Sequence, residues 1–367
     1  MTGPDRQEIH RFLRPALALF LALLVTVNIG MLSNSDTLDS VFGRGKRVTE
    51  VIAGQDMLNA AYYTAQYSNT DESRQAAAAL ARSISDEGIV LLKNSGLLPL
   101  RPDTPVSPFG LRYVLPYYGG SGSASVDTKA DYIVTPAEGL HAAFSNVNVS
   151  LEEEIFAAVS AESALAGDPN IAACSVASED SQENTLYELS PQVYQPYRSS
   201  CESTVGIVFI GRSTGENCDA STLPYTDGTP HMLALTSAEK ETIVFAKKHC
   251  DGVVVVLASP AIMEIAVLED DGGIDAILWL GGAGCSGYAS LGAILTGAVT
   301  PSGKTTDIWP AAFKSAPTFA NQDDGTNRFT YSNAVTTLVN STDRVPNTPA
   351  AFREYEEGVY LGYRYYE

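Results

Sequence analysis

A helix flanked by two almost entirely apolar strands occupies the centre of this chain, and this order restricts the fold more than any other feature. TVGIVFIG (204–211) and GVVVVLA (252–258) are apolar at odd and even positions, which is typical of parallel strands covered on both faces. Between them, LTSAEKETIVFAKKHC (235–250) predicts a helix that starts with a capping box of Thr236 and Glu239. Strand–helix–strand alternation with short connections predicts parallel pairing with helices on both faces of the sheet.

Flanking segments extend the same pattern. The predicted fold is therefore a layered α/β/α sandwich with a mostly parallel sheet over residues 72–320, preceded by a connector (33–71) and followed by a tail (321–367). Its further elements are a helix at 72–87, a strand at 89–93, an acidic helix near 151–167, a strand at 274–281 and a glycine-bounded helix at 284–297.

Charge and composition exclude several classes of function. The net charge is −20 and the body of the chain has no Lys/Arg cluster, which argues against nucleic-acid binding. The four histidines include no i,i+4 pair and the five cysteines include no C-x-x-C pair, so no metal site is expected. The segment GGSGS lacks the Gly-Lys-Ser/Thr ending of a phosphate loop, and no G-x-S-x-G motif is present. No cofactor is expected.

The N-terminus predicts a membrane anchor. Arg6, Arg11 and Arg14 precede the apolar run ALALFLALLVTVNIGML (16–32), which is at the short end of a membrane span. A cleaved secretory signal is the alternative, but the run ends without an Ala-x-Ala site. We therefore expect a cytoplasmic tail (1–15), a transmembrane signal anchor (16–32) and cell-membrane localisation with the bulk of the chain outside the cytoplasm.

An extracytoplasmic location would allow a disulfide bond. Cys174 and Cys201 bracket a polar segment and are the candidate pair, although free buried thiols are an equally good interpretation of the sequence.

Polar groups follow two of the predicted strands. Lys93 and Asn94 end the first, and Arg212, Glu216 and Asp219 lie on the loop after TVGIVFIG. Ligands bind past the carboxyl ends of strands in open parallel sheets, so both sets could face a ligand or another domain. The alternatives are that Lys93 and Asn94 serve a structural turn and that Glu216 is a solvated carboxylate.

Five blocks resemble glycoside hydrolase family 3, the β-glucosidase and β-xylosidase family, specifically its α/β-sandwich domain. The resemblance covers about residues 75–367. The blocks, in the family's order, are EGIVLLKNSGLLPL (87–100), FGLRYVLPYYGGSGSASVD (109–127), IGRSTGENCD (210–219), DAILWLGGAGCSGYASLGAILTGAVTPSGKTTDIWP (275–310) and the Tyr-rich EYEEGVYLGYRYYE (354–367).

This resemblance implies a retaining, exo-acting β-glycosidase that cleaves β-linked glucosides or xylosides. The loop at 210–219 resembles the family's Gly-Glu-Gly-x-Asp-Arg loop, so Glu216 maps to the general acid/base. Arg212, Asp219, Lys93 and Asn94 would be substrate-binding residues. The aspartate nucleophile of the family belongs to a separate (β/α)8 barrel, which would have to dock on the sandwich in cis or in trans, because retention needs carboxyl groups about 5–5.5 Å apart.

The sequence departs from the family pattern in two ways. Asn217 replaces the second glycine of the loop, and Ala220 stands where arginine is common. The Ser-Asp-Trp type motif of the nucleophile and the Lys-His-Phe-x-Gly motif are absent. We therefore expect the front part of a longer enzyme with reversed domain order, truncated before its barrel and inactive alone.

Two other interpretations remain open. One is a membrane-anchored module without catalysis, which binds carbohydrate or docks on a partner chain, and the other is a generic tethered α/β protein. In each case Tyr360, Tyr363, Tyr365 and Tyr366 are expected to pack the tail onto the sandwich.

Overall fold

The computed structural model describes most of the chain, which forms two units, residues 1–66 and 67–367. The described residues are 6–33, 66–120, 126, 132–161, 188–212, 214, 220, 224–225, 227–319, 330–339, 344–352 and 354–366.

The helix described in the first unit is α1 (Arg6–Ser33), and between residues 15 and 31 its side chains, such as Leu19 and Val25, are exposed. Nowhere in the described part of the chain is a helix long and apolar enough to cross a bilayer. The transmembrane anchor predicted at 16–32 is thus unsupported, and the localisation stays a prediction.

The second unit alternates helices and strands much as the sequence predicts. Its described elements are α2 (Thr70–Gly88), β1 (Val90–Asn94), β2 (Val106–Phe109), α3 (Pro136–Ala143), α4 (Val149–Ala161), β3 (Val205–Gly211), α5 (Ser237–His249), β4 (Gly252–Ala258), α6 (Ala266–Glu269), β5 (Ala276–Trp279), α7 (Gly287–Leu295), β6 (Thr330–Val339), β7 (Arg344–Ala351) and α8 (Tyr363–Tyr366).

Five of these strands form one sheet in the order β1-β5-β4-β3-β2. The β2/β3, β3/β4 and β4/β5 pairs are parallel, so the predicted mostly parallel sheet is confirmed. β1 is the exception, because it runs antiparallel to β5 and pairs Asn94 with Ala276. Apolar residues on both faces had suggested a parallel strand at this position. The pattern reports burial on two faces, which an antiparallel edge strand under covering helices shares.

Two hydrophobic cores lie on opposite faces of the sheet, because successive strand residues point to opposite sides. Val253 and Val255 of β4 face a core that includes side chains of α4 and α5. Val254 and Val256 face a second core, built with side chains of α3 and α7. This arrangement is the predicted layered sandwich.

The tail differs from its prediction. β6 and β7 form a separate antiparallel hairpin. Tyr360, Tyr363, Tyr365 and Tyr366 are exposed, which contradicts the predicted packing of their rings onto the sandwich. A tyrosine hydroxyl satisfied by water lets the ring stay partly exposed at modest cost, so a Tyr-rich pattern alone does not specify burial.

Candidate functional site

The carboxyl edge of the sheet is where the structure gathers buried polar side chains. β2, β3 and β4 are mutually parallel, so the residues after Phe109, Gly211 and Ala258 meet at one edge. The Arg212 backbone N–H donates to the Ala258 carbonyl over 3.2 Å, which ties the β3 end to the β4 end. Ligands in open parallel sheets bind at this edge.

Arg212 lies at this edge, as predicted, but its side chain is directed inward and is only 3 % exposed. Its Nη1 and Nη2 donate to the two carboxylate oxygens of Glu239 over 2.6 and 2.8 Å. The Nε group donates to the Met232 carbonyl, and the remaining N–H groups donate to Gly211 and Ala234. All five guanidinium donors are therefore used internally. The predicted contact of this side chain with a substrate is wrong, and its role is to fix the start of the loop.

Glu239 connects this arginine to helix α5. Its Oε2 accepts a hydrogen bond from the Thr236 backbone, and the Thr236 hydroxyl accepts one from the Glu239 backbone, which confirms the predicted capping box. Burial favours the neutral carboxyl, but the pairing with Arg212 outweighs it and holds the pKa of Glu239 below its usual value. The sequence indicated the cap and did not reveal that the capping glutamate also binds Arg212.

A second arginine lies beside this pair. Arg112 is buried, and its guanidinium carbon is 4.0 Å from the centre of the Tyr117 ring. Its Nη1 donates to the Leu115 carbonyl over 3.2 Å. Burial raises the pKa of Tyr117, so its hydroxyl stays neutral at physiological pH. Sequence reasoning missed Arg112, although an arginine directly after a buried strand was a usable signal.

Glu188 binds the backbone of the turn that follows β2. Its Oε1 accepts hydrogen bonds from the backbone N–H groups of Leu111 and Leu189 over 2.7 and 2.8 Å. Burial, and next the negative charge of Glu239, raise the pKa of Glu188 to about 7. This glutamate therefore changes protonation state close to neutral pH, and nothing in its local sequence marked it.

Replacing Glu188 with glutamine should flatten the pH dependence of stability. The carboxyl ionises near 4.5 when unfolded and near 7 when folded, so its stabilising contribution is complete below 4.5 and is lost as the pH rises through 7. We expect the wild type to lose about 2–3 kcal/mol through this group between about pH 5 and pH 8. Glutamine keeps an oxygen acceptor for both amides without ionising. Urea unfolding at both pH values measures the difference.

The control for this prediction is Glu202→Gln, which alters an exposed glutamate before β3. It should keep the wild-type pH dependence. Parallel pH profiles for the wild type and Glu188→Gln would contradict a folded pKa near 7.

His231 and Glu264 form a further polar pair that the sequence did not reveal. The His231 Nε2 lies 3.0 Å from the Glu264 Oε2, and the Phe313 backbone N–H donates to the same oxygen over 3.0 Å. The His231 ring also packs edge-to-face on the Phe313 ring. This carboxylate therefore joins the loop after β4 to the segment that follows α7.

Lys93 and Asn94 lie elsewhere. Because β1 is antiparallel, they are at the opposite edge of the sheet, beside the start of β5. The prediction that they share the carboxyl edge with Arg212 is wrong. Lys93 Nζ donates to the carbonyls of Glu269 and Asp271 over 2.8 Å, which satisfies the end of α6. Asn94 Oδ1 accepts from the backbone of Gly96 and Leu98, so both side chains serve local structure.

The remaining predicted residues lie outside the described part of the chain. Glu216 and Asp219 fall in this category, so their catalytic and substrate-binding roles stay predictions. Cys174 does too, while Cys201 is a buried free thiol. Among the residues that the structure describes, no group of three His, Cys, Asp or Glu side chains could hold a metal ion.

Proteins named as β-glucosidases match most of this chain in sequence. It is 24% identical over 309 residues to "Probable beta-glucosidase A" of Emericella nidulans, covering 79% of this chain and 29% of the relative. It is 25% identical over 303 residues to "Beta-glucosidase A" of Butyrivibrio fibrisolvens, covering 77% of this chain and 31% of the relative. The chain thus spans about a third of the length of these relatives.

Solved structures of β-glucosidases are similar to this chain in fold. A β-glucosidase from Paenibacillus barengoltzii is similar with a TM-score of 0.58 and 25% identity, over 79% of this chain and 28% of that chain. β-Glucosidase 3B from Thermotoga neapolitana, solved in complex with glycerol, has a TM-score of 0.58 and 22% identity, over 81% of this chain and 36% of that chain. The latter shows a likeness of fold alone.

The family itself is shown by a match to a family description over three quarters of the chain. The description "Glycosyl hydrolase family 3 C-terminal domain" matches residues 89–363, which include all five strands of the sheet. This chain belongs to glycosyl hydrolase family 3 through that family's C-terminal domain.

Proposed function

We propose that this chain is the sandwich-domain part of a retaining, exo-acting β-glycosidase that acts on β-linked glucosides or xylosides. The observation that carries the proposal is the family match over residues 89–363, which includes the loop after β3. The β-glucosidase names of the matching relatives support the substrate class. The fold alone would not support this substrate class, because proteins with unrelated functions share α/β architectures.

The proposed acid/base is Glu216, four residues after Arg212. The Arg212–Glu239 pair anchors the first residue of this loop, and four residues of chain span at most about 14 Å. Glu216 would protonate the glycosidic oxygen as the bond to the leaving group breaks, and would then take a proton from the attacking water. The nucleophilic aspartate would come from a (β/α)8 barrel in cis or in trans, docked at the carboxyl edge of the sheet.

Hydrolysis of aryl β-glucosides and β-xylosides tests this proposal, with the chain produced together with such a barrel. Glu216→Gln should lower the rate about 10²–10⁴-fold for a leaving group of high pKa, which needs protonation. Breaking of the glycosidic bond should slow far less for a dinitrophenyl leaving group, which departs as an anion. That contrast is specific to a lost general acid, since loss of folding would slow both substrates equally.

Glu202→Gln is the matched control, because Glu202 is an exposed glutamate at the other edge of the sheet, and it should leave both rates unchanged. Equal rates for Glu216→Gln and the wild type on the poor leaving group would place the acid elsewhere. Turnover by this chain without any barrel would overturn the assignment of the nucleophile.

A second candidate function is a module that binds carbohydrate or docks on a partner without catalysis. Asn217 and Ala220, which depart from the family loop, favour it. In that case the chain alone would bind glucose or xylose by isothermal titration calorimetry, and no barrel would make it hydrolytic.

A further inference from the structure

Two cysteines that are distant in the sequence are neighbours in the structure. Cys201 follows the 3-10 turn Gln195–Ser200 just before β3, and Cys250 is the C-cap of α5 just before β4. Their thiol groups lie beside each other. Cys201 is fully buried and Cys250 is partly buried, and both contribute to the same hydrophobic core.

The surrounding backbone holds these two residues in place. The Thr204 hydroxyl lies 2.8 Å from the Cys201 carbonyl and 3.8 Å from the Cys250 Sγ. The Asp251 backbone N–H donates to the Thr204 carbonyl over 2.8 Å, so the segment after Cys201 is bonded to the residue after Cys250. The Cys250 Sγ also lies over β3, 3.1 Å from where a Cβ on Gly206 would be. Two thiols in contact on adjoining, bonded backbone segments meet the first geometric requirement of a disulfide.

We infer that Cys201 and Cys250 form a reversible intramolecular disulfide that links the entry of β3 to the end of α5. The oxidant is a small-molecule disulfide such as oxidised glutathione. The thiolate of one cysteine attacks it, forms a mixed disulfide and releases one thiol. The thiolate of the other cysteine then attacks the sulfur of the first and releases the second thiol. The two cysteines lose two protons and two electrons in total, and the oxidant gains them.

This pairing competes with the one that the sequence suggested. Cys201 can bond to Cys250 or to Cys174, but not to both. The contact with Cys250 and the position of both residues at the ends of regular elements favour the first. Cys285 makes a useful control, since its Sγ lies beside the Ser286 hydroxyl in a different part of the fold.

Peptide mapping by mass spectrometry of the whole chain tests the inference, after incubation with oxidised glutathione and alkylation of the remaining thiols. We expect a cross-link between the peptides that hold Cys201 and Cys250 in the wild type, in Cys174→Ser and in Cys285→Ser. Cys250→Ser should abolish it. Since the bond closes a long loop, oxidation should raise the Tm by roughly 4–8 °C in the wild type but not in Cys250→Ser.

Other outcomes would overturn the inference. A Cys174–Cys201 cross-link in the wild type would show that Cys201 bonds to Cys174 and not to Cys250. Full alkylation of Cys201 and Cys250 after oxidation, measured on the denatured protein, would show that the two thiols do not pair. Both the cross-link and the change in Tm are measured by comparing the oxidised and reduced forms of one protein. Poor folding of a variant therefore cannot be mistaken for the presence or absence of the disulfide.

Discussion

Replacing Arg212 with methionine should destabilise the sandwich unit by about 3–5 kcal/mol. Methionine removes the positive charge and every donor, while the Glu239 carboxylate stays buried at 3 % exposure. The carbonyls of Met232 and Ala234 would also lose their donors. An unpaired buried charge is much more costly than a missing pair. Urea unfolding at pH 7 measures the loss, which should shrink at low pH because Glu239 can then be protonated.

Two controls isolate the buried charge as the cause. Arg101→Met breaks an ion pair with Asp103 whose shortest N–O distance is 2.7 Å, but both side chains are largely exposed, so the loss should be below about 1 kcal/mol. The double variant Arg212→Met with Glu239→Gln removes both charges and should recover part of the single variant's loss. Equal losses for Arg212→Met and Arg101→Met would contradict the assigned role of the anchor.

Replacing Gly110 with alanine should destabilise the same unit by about 2–6 kcal/mol. Gly110 has φ 98° and ψ 149°, a conformation that costs other residues about 1–3 kcal/mol. A Cβ there would lie 2.4 Å from the Phe209 carbonyl oxygen, so the backbone must also shift, at about 1–3 kcal/mol more. The shift would disturb the turn that carries Arg112 to its place over Tyr117.

Gly96→Ala is the matched control for this prediction. Gly96 has a similar φ of 102°, but no atom lies within 4 Å of its added Cβ, so the substitution tests backbone strain without a clash. Urea unfolding of the two variants should show the larger loss for Gly110→Ala. Losses of equal size would mean that the close approach to Phe209 relaxes at no cost.

The strands and their layers could be predicted from the sequence because the signal is local. β4 was predicted at its observed bounds, residues 252–258, since a run of valines on both faces has few alternatives to a buried central strand. The capping box at Thr236 and Glu239 was equally local, requiring two residues three positions apart.

The direction of β1 could not be predicted from the local sequence. Whether a strand pairs parallel or antiparallel depends on how the chain returns to the sheet, and the side-chain pattern is the same in both cases. The error moved Lys93 and Asn94 to the wrong edge and suggested a ligand contact for side chains that bind the end of α6 and a turn.

What the sequence alone determined was four of the five strands of the sheet, the two-sided burial of the sheet and the family resemblance, because each is encoded in consecutive residues; β2 and the β6–β7 hairpin were not among the predicted elements. Only the tertiary structure decided that Arg212 pairs with Glu239, that the Leu111 backbone donates a hydrogen bond to Glu188, and that Cys201 lies beside Cys250. These contacts join residues that are far apart along the chain, and folding brings them together in a place where water cannot satisfy or screen them. Their energies and pKa values follow from that removal from water.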